Sequence, residues 1–188
     1  MSALVPPSQP AMHDDASLLR HDESVALVRA TVAQVFAHLD DPQVLAAHMG
    51  ESSMMMLGSR MSMDVDAGGG RRVGSRIRMH GRVMGIAISL DEVVTERHVP
   101  HRKLWETIGN PRLLVLARYR MGFELQPRGD LTLLRVFIDY SLPATAPTSW
   151  LGRWLGGFYA RWCTRQMAAE AARHFDAAPP PRHPGEPS

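Results

Sequence analysis

PTSWLGRWLGGFYARWCTRQMAAEAARHF, residues 147–175, holds three of the four tryptophans and the single cysteine, Cys163. Thr148 or Ser149 suits a helix cap, and Leu151, Leu155, Phe158, Tyr159 and Trp162 recur at helical spacing, with Arg153 roughly opposite. The segment predicts one long closing helix of about 42 Å, at ~1.5 Å per residue. Gly152, Gly156 and Gly157 each cost such a helix about 1 kcal/mol against alanine, so they need a reason to be there. A hinge at Gly156-Gly157 is the reading, because the apolar stripe loses phase beyond Cys163. Trp, Phe and Arg also suit a helix lying on a membrane surface. Packing of the stripe on a core is favoured, because the sheet predicted upstream would otherwise lie bare.

Working back from this helix, the rhythm is that of strands. Leu134, Val136, Ile138 and Tyr140 alternate with Arg135 and Asp139; before the turn at residues 127–130, Tyr119, Met121, Phe123 and Leu125 alternate with Arg118, Arg120 and Glu124. Asn110-Pro111 predicts a turn after the strand Lys103–Ile108, and RHVPHR another around Pro100. Ile86, Ile88 and Leu90 lead into DEVVTER, a long strand with room for a bulge. Val73, Ser75, Ile77 and Met79 alternate with Arg76, Arg78 and His80, and Met61, Met63 and Val65 with Ser62, Asp64 and Asp66, across the glycine turn 68–70. At the front, residues 23–30 (ESVALVRA) read as a strand running into a helix capped by Thr31, with Val32, Val35, Phe36 and Leu39 at helical spacing. Asp41-Pro42 stops that helix, and Pro42 opens a second short one to Met49.

The order is strand, two short helices, about six antiparallel strands and one long helix. This predicts an α+β fold: a curved antiparallel sheet of about seven strands, its apolar face covered by the last helix, with a cavity between them. Residues 23–175 form the domain. Residues 1–22 and the proline-rich 176–188 read as disordered tails.

Composition narrows the function. At 188 residues and a net charge of +2, the chain fits one domain. One cysteine excludes an intrachain disulfide and a four-cysteine zinc site, and suits a reducing, cytoplasmic setting. The first 20 residues lack the pattern of a secretory signal, and no apolar run reaches the length of a membrane span. The positive charge is arginine, with Lys103 the only lysine. These arginines are interleaved with acids along the chain, which reads as a mixed-charge surface rather than a nucleic-acid site.

The opening ESVALVRATVAQVFAHLDDPQVLAAHM, the GGGRRVGSRIRM hairpin and the closing WLGRWLGGFYARWCTRQM resemble the helix-grip superfamily. This group includes START domains, the birch-pollen-allergen fold and polyketide cyclase/dehydrase-like proteins (SRPBCC). The resemblance covers about residues 23–175 and rests on pattern, since the superfamily has no strict catalytic motif. It implies a deep cavity between sheet and C-terminal helix for an apolar or amphipathic small molecule. Binding or carriage of a lipid- or polyketide-like ligand is the leading expectation, and a cofactor-independent cyclase/aromatase or dehydratase using the same cavity is the alternative.

The inward register nominates Met61, Met63, Met79, Ile86, Ile88, Tyr119, Met121, Phe123 and Tyr140 as cavity lining, with Leu155, Phe158 and Trp162 from the helix. Met54 to Met56 sit where the resemblance implies a cavity entrance, and read either as a flap over it or as plain packing. Tyr119, Tyr140 and Glu106 are the proton-transfer candidates of the enzyme reading. Against each stands a plainer role: hydrogen-bonded core tyrosines, and an outward Glu106 paired with a strand arginine. His98 and His101 flank Pro100, and His38 and His48 lie on the short helices; surface roles are favoured, and no metal site or cofactor is expected. GGGRRVG joins two strands and lacks the helix N-terminus of a phosphate site. Cys163 reads as a buried structural thiol. A small hydrophobic molecule is the expected partner; a homodimer is compatible with the sequence, nucleic acid is not expected and membrane association is disfavoured.

Overall fold

The computed structural model describes residues 18, 20–44, 60–83, 86–143 and 150–177, without the side chains of 60, 61, 83 and 150–154. The expected flap Met54–Met56, His48, and most of both predicted tails lie outside the described residues. β1 (Arg20–Val28) runs into α1 (Val32–Leu39). Six strands follow: β2 (Arg60–Val65), β3 (Arg76–Val83), β4 (Ile86–His98), β5 (Arg102–Arg112), β6 (Arg118–Arg128) and β7 (Leu131–Ser141). α2 (Trp150–Ala177) closes the chain. The strands form one curled antiparallel sheet in the order β1-β7-β6-β5-β4-β3-β2. The predicted α+β architecture is therefore the observed one. β1 opens at Arg20, three residues ahead of the predicted strand, because Arg20, His21 and Asp22 pair with Tyr140, Asp139 and Ile138.

Local chemistry explains the opening. Thr31 caps α1 in a full capping box, the Gln34 amide donating to Thr31 Oγ1 at 3.4 Å and the Thr31 amide to Gln34 Oε1 at 3.0 Å. Helical backbone resumes at Pro42–Val44, where the second short helix was expected to begin. The predicted turn at Asn110-Pro111 is instead strand, since β5 runs on to Arg112 opposite Ser89. Pairing of β5 with β6 has ended at Glu106 and Arg120, so Pro111 interrupts no ladder on that side. In the glycine turn, Gly69 and Gly70 take positive φ, and the Asp66 carboxylate accepts from the amides of Gly68 (2.9 Å) and Arg76 (2.8 Å).

α2 differs most from expectation. It is one continuous helix, and it packs chiefly on β1 and β7, with a further contact to α1. Its buried face is Gly156, Ala160, Cys163, Thr164, Met167, Ala168 and Ala171. That face carries mostly small residues, so the helix approaches the sheet closely. Leu155 and Phe158, predicted to point inward, are 38 % and 45 % exposed. Tyr159 and Trp162 lie at the flank, half-buried against the core. Gly156 is a contact residue rather than a hinge: a Cβ there would meet Leu142 Cδ2 at 2.4 Å and the Val115 carbonyl oxygen at 3.0 Å. Ser24 Oγ and Thr164 Oγ1, 3.0 Å apart, tie β1 to the same face.

The far side of the core is closed by α1. A shift in register at Val94/Glu96 brings Arg97 onto the inner face beside Lys103. Lys103, 1 % exposed, donates to Asp40 Oδ1 (2.9 Å) and to the Asp40 carbonyl (2.8 Å), and Arg97 Nη2 donates to Asp40 Oδ2 (2.8 Å). Burial pushes the Asp40 carboxyl up, but the hydrogen bonds from Arg97 and Lys103 outweigh it and hold it below its ordinary range. Phe36 stacks edge-on against Phe123, and Phe123 against Trp105. The outer face carries a chain of ion pairs, Glu96–Arg102–Glu124–Arg135–Glu23, across five strands. Arg102 and Arg135 lie over Phe137.

Two substitutions test this packing. Gly156→Ala, which helix propensity alone would favour by about 1 kcal/mol, is expected to destabilise by about 1–3 kcal/mol through overpacking, read as a lower denaturation midpoint. Asp40→Ala strands the buried Lys103 charge and is expected to cost about 3–5 kcal/mol, with Asp40→Ala/Lys103→Met recovering part of that loss.

Candidate functional site

The inner wall contains a polar row on an otherwise apolar face. In β4 the inward residues are Leu90, Glu92 and Val94, all under 6 % exposed, with Glu92 at 3 %. Glu92 pairs with Ile77 on β3 and Thr107 on β5. Thr107 exchanges hydrogen bonds with the Tyr119 backbone, its Oγ1 accepting from the amide at 3.1 Å and donating to the carbonyl at 3.3 Å. Tyr119 in turn pairs with Tyr140 on β7. The row thus reads Glu92, Thr107, Tyr119, Tyr140 across four strands.

Its chemistry centres on one contact, in which the Tyr119 hydroxyl donates a short hydrogen bond to Glu92 Oε1. Burial raises the Glu92 carboxyl to about 7, opposed in smaller measure by hydrogen bonds from Tyr119 and Trp105 and by the Lys103 charge. Burial also lifts the Tyr119 phenol well above its usual range, and the neighbouring Glu92 charge adds to this, so Tyr119 stays a neutral donor. Tyr159 and Cys163 of α2 are close enough to Tyr119 to raise it further. Burial pushes the Cys163 thiol up to about 12, which makes it a poor nucleophile.

The two sides of Tyr119 differ. Towards α1, Met121, Phe123, Trp105 and Tyr140 belong to the closed core. Towards β2 and β3, Ile77, Met79 and Leu90 form a second cluster with Met63 and Val65 beside it. Tyr119 and Leu113 touch both clusters. The Glu92–Tyr119 contact therefore sits at the seam between them.

The sequence-derived candidates divide accordingly. Met63, Met79 and Tyr119 come together around the seam. Met121 and Phe123 are sealed in the closed core, Phe123 with no exposure at all. Tyr140 donates to Asp22 Oδ2 at 3.1 Å, and Arg161 pairs with the same carboxylate, so this hydroxyl is committed to holding α2 against β1. Met61 pairs with Gly81, and its side chain is outside the described set. Ile88 is half-buried and Ile86 is 54 % exposed at the end of the wall. Leu155 and Phe158 stand away from the buried face of α2, and Trp162 lies at its flank. Glu106 faces outward opposite Arg120, away from the row. His98 and His101 are exposed, and among the described residues no group of three potential metal ligands is assembled.

Glu92 itself escaped the sequence reading. The signal was present: even positions from Ile86 to Val94 share one face, and that register carries Glu92 inside between Leu90 and Val94.

This architecture is shared with solved structures. TTHA0849 from Thermus thermophilus superposes with a TM-score of 0.62 at 17 % identity, over 84 % of this chain and 98 % of that one. BexL, the di-domain ARO/CYC of the BE-7585A biosynthetic pathway, gives a TM-score of 0.62 at 16 % identity, over 88 % of this chain and 52 % of that protein. Ara h 8.0201 gives 0.54 at 9 % identity, over 81 % of this chain and 97 % of that one. At these identities the likeness is one of fold, and the fold is the helix-grip fold. The sequence matches no protein-family model and no curated protein.

The buried carboxyl has a thermodynamic signature. Its folded pKa of about 7 stands above the ordinary carboxyl value of 4.5, so Glu92 imposes no penalty below the lower value, and stability falls as pH rises through the upper one. The separation corresponds to about 3 kcal/mol. Denaturation midpoints from pH 5 to 8 should fall in the parent protein relative to Glu92→Gln; parallel profiles would refute an elevated Glu92.

Proposed function

We propose that the chain binds a small hydrophobic or amphipathic molecule between the inner sheet face and α2, with Glu92 and Tyr119 engaging its polar group. The observation that carries this reading is a nearly fully buried carboxyl that forms no ion pair among the described residues. Lys103, whose charge acts on it, is committed to Asp40. Burying such a group costs stability, and a ligand hydrogen-bonded to it would recover part of that cost. Apolar contact from Met63 and Met79 would supply most of the affinity, at about 25 cal/mol per Å² buried. Methionine suits such a wall because its unbranched, polarizable side chain adapts to irregular shapes.

A second reading has its own support. A carboxyl poised near neutral pH beside a neutral phenol suits proton transfer to a carbonyl-bearing chain, and one structure of this fold is an ARO/CYC protein. On that reading the fold is a cyclase/aromatase or dehydratase, with Glu92 as acid or base and Tyr119 as hydrogen-bond donor. A cytoplasmic setting, where the single thiol stays reduced, suits either reading.

Native mass spectrometry of the purified protein tests binding directly, with a bound small molecule as the expected result. Tyr119→Phe and Glu92→Gln should each weaken ligand-induced thermal stabilisation by about 1–3 kcal/mol of binding energy, the cost of an unmet buried hydrogen bond. No co-purifying molecule, together with no thermal shift across a library of lipids and aromatic polyketides, would overturn the proposal. Turnover abolished by Glu92→Gln with ligand affinity retained would favour the enzyme.

A further inference from the structure

One end of the molecule gathers features that neither the inner wall nor the core uses. There β3 ends at Val83, β4 begins at Ile86, β5 ends at Arg112 and α2 begins at Trp150. Gly156 of α2 approaches Leu142 and Val115, which brings the helix start to the same end. Three aliphatic side chains stand out from it: Ile86 at 54 %, Leu114 at 43 % and Leu155 at 38 % exposure. Arg82 and Arg112 are exposed beside them.

Of the described residues at this end, 80–83, 86–90, 108–118, 140–143 and 150–162 contain no aspartate or glutamate, and β1, which begins opposite Tyr140, brings Asp22 and Glu23 close to it. The described acids close to this end have cationic or histidine partners: Asp91 pairs with Arg78 (2.9 Å), Asp139 with His21 (2.7 Å), Asp22 with Arg161 (3.5 Å) and Glu23 with Arg135 (2.5 Å). Charge on this face is therefore cationic among the described residues, and it rims exposed aliphatic groups. The first residues of α2 are WLGRW in sequence, tryptophan and arginine being residue types that favour the bilayer interface. Packing of the Leu155 stripe on the sheet was the reason to disfavour a membrane. In the structure the small residues of α2 occupy that contact and Leu155 is exposed. No helix among the described residues is long and apolar enough to cross a membrane, so any association is peripheral.

We propose that this end docks on the surface of an anionic lipid bilayer, with Ile86, Leu114 and Leu155 entering the headgroup region and Arg82 and Arg112 facing the lipid phosphates. Burial of aliphatic groups and attraction to anionic headgroups act together there, and the second is screened by salt. The docking face is separate from Glu92 and Tyr119, so it stands whether or not the inner wall binds a ligand.

Co-sedimentation of the full chain tests it, using vesicles of phosphatidylcholine alone and of phosphatidylcholine with phosphatidylglycerol. Pelleting is expected with the anionic vesicles only, and to weaken as salt is raised. Arg82→Gln and Arg112→Gln should each lower the affinity roughly fivefold, and Leu114→Ser should lower it further with an unchanged melting temperature. Glu92→Gln should pellet like the parent, which separates this proposal from the ligand reading. Three outcomes would overturn it: no pelleting with anionic vesicles, equal pelleting with both compositions, or full pelleting of the arginine double variant. A dimer in solution that Leu114→Ser dissociates would also overturn it, by assigning the face to a second copy of the chain.

Discussion

The rest of the structure depends on the close approach of α2 to β1 and β7. A helix can come this near a sheet only where its facing side chains are small, and Gly156, Ala160, Thr164, Ala168 and Ala171 supply that face. Everything large on the helix is then displaced sideways or outward. Tyr159 and Trp162 move to the flank, where Tyr159 meets the polar row through its neighbour Cys163. Leu155 and Phe158 are turned away from the sheet. The placing of aromatic groups near the seam, and of aliphatic groups at the open end, both follow from this one contact.

The inner wall holds two buried carboxyls with opposite electrostatic settings. Asp40 has two cationic partners and stays ionised, locking α1 against the β4–β5 hairpin. Glu92 has a phenol in place of a cation, and its proton is held up to near neutral pH. Lys103 lies within influence of both but, among the described residues, bonds to Asp40. The first arrangement satisfies its charge completely and so suits a structural joint. The second holds its proton up to near neutral pH beside an apolar cluster, a perturbation common among groups at functional sites.

Both settings depend on strand register. The irregularity between Val94 and Glu96 changes the phase of β4, so Glu92 and Val94 face inward before it and Arg97 faces inward after it. Had the alternation run unbroken, Arg97 would have pointed to solvent and Asp40 would have lost a partner. One inserted residue thus separates the polar seam from the ionic joint and allows one strand to serve both.

Much of this was legible from the chain alone. Period-two alternation is a local property, and it placed most of the strands and the inward register of Met63, Met79, Tyr119 and Met121, just as the capping chemistry of Thr31 placed the start of α1. The length of the closing helix was equally local: it was read as ending at Phe175 and runs two residues further, to Ala177. What the chain alone left open was which face of a helix meets a sheet, because the packing of small residues competes there with the burial of large ones. Hydrophobicity pointed to Leu155 and Phe158, while the steric demand of β1 and β7 selected Gly156 and Ala160. Glu92 is the same kind of case: its sequence neighbours fixed its direction, but only the folded sheet set Tyr119 beside it and removed the water, and those two conditions together make an ordinary glutamate a candidate site.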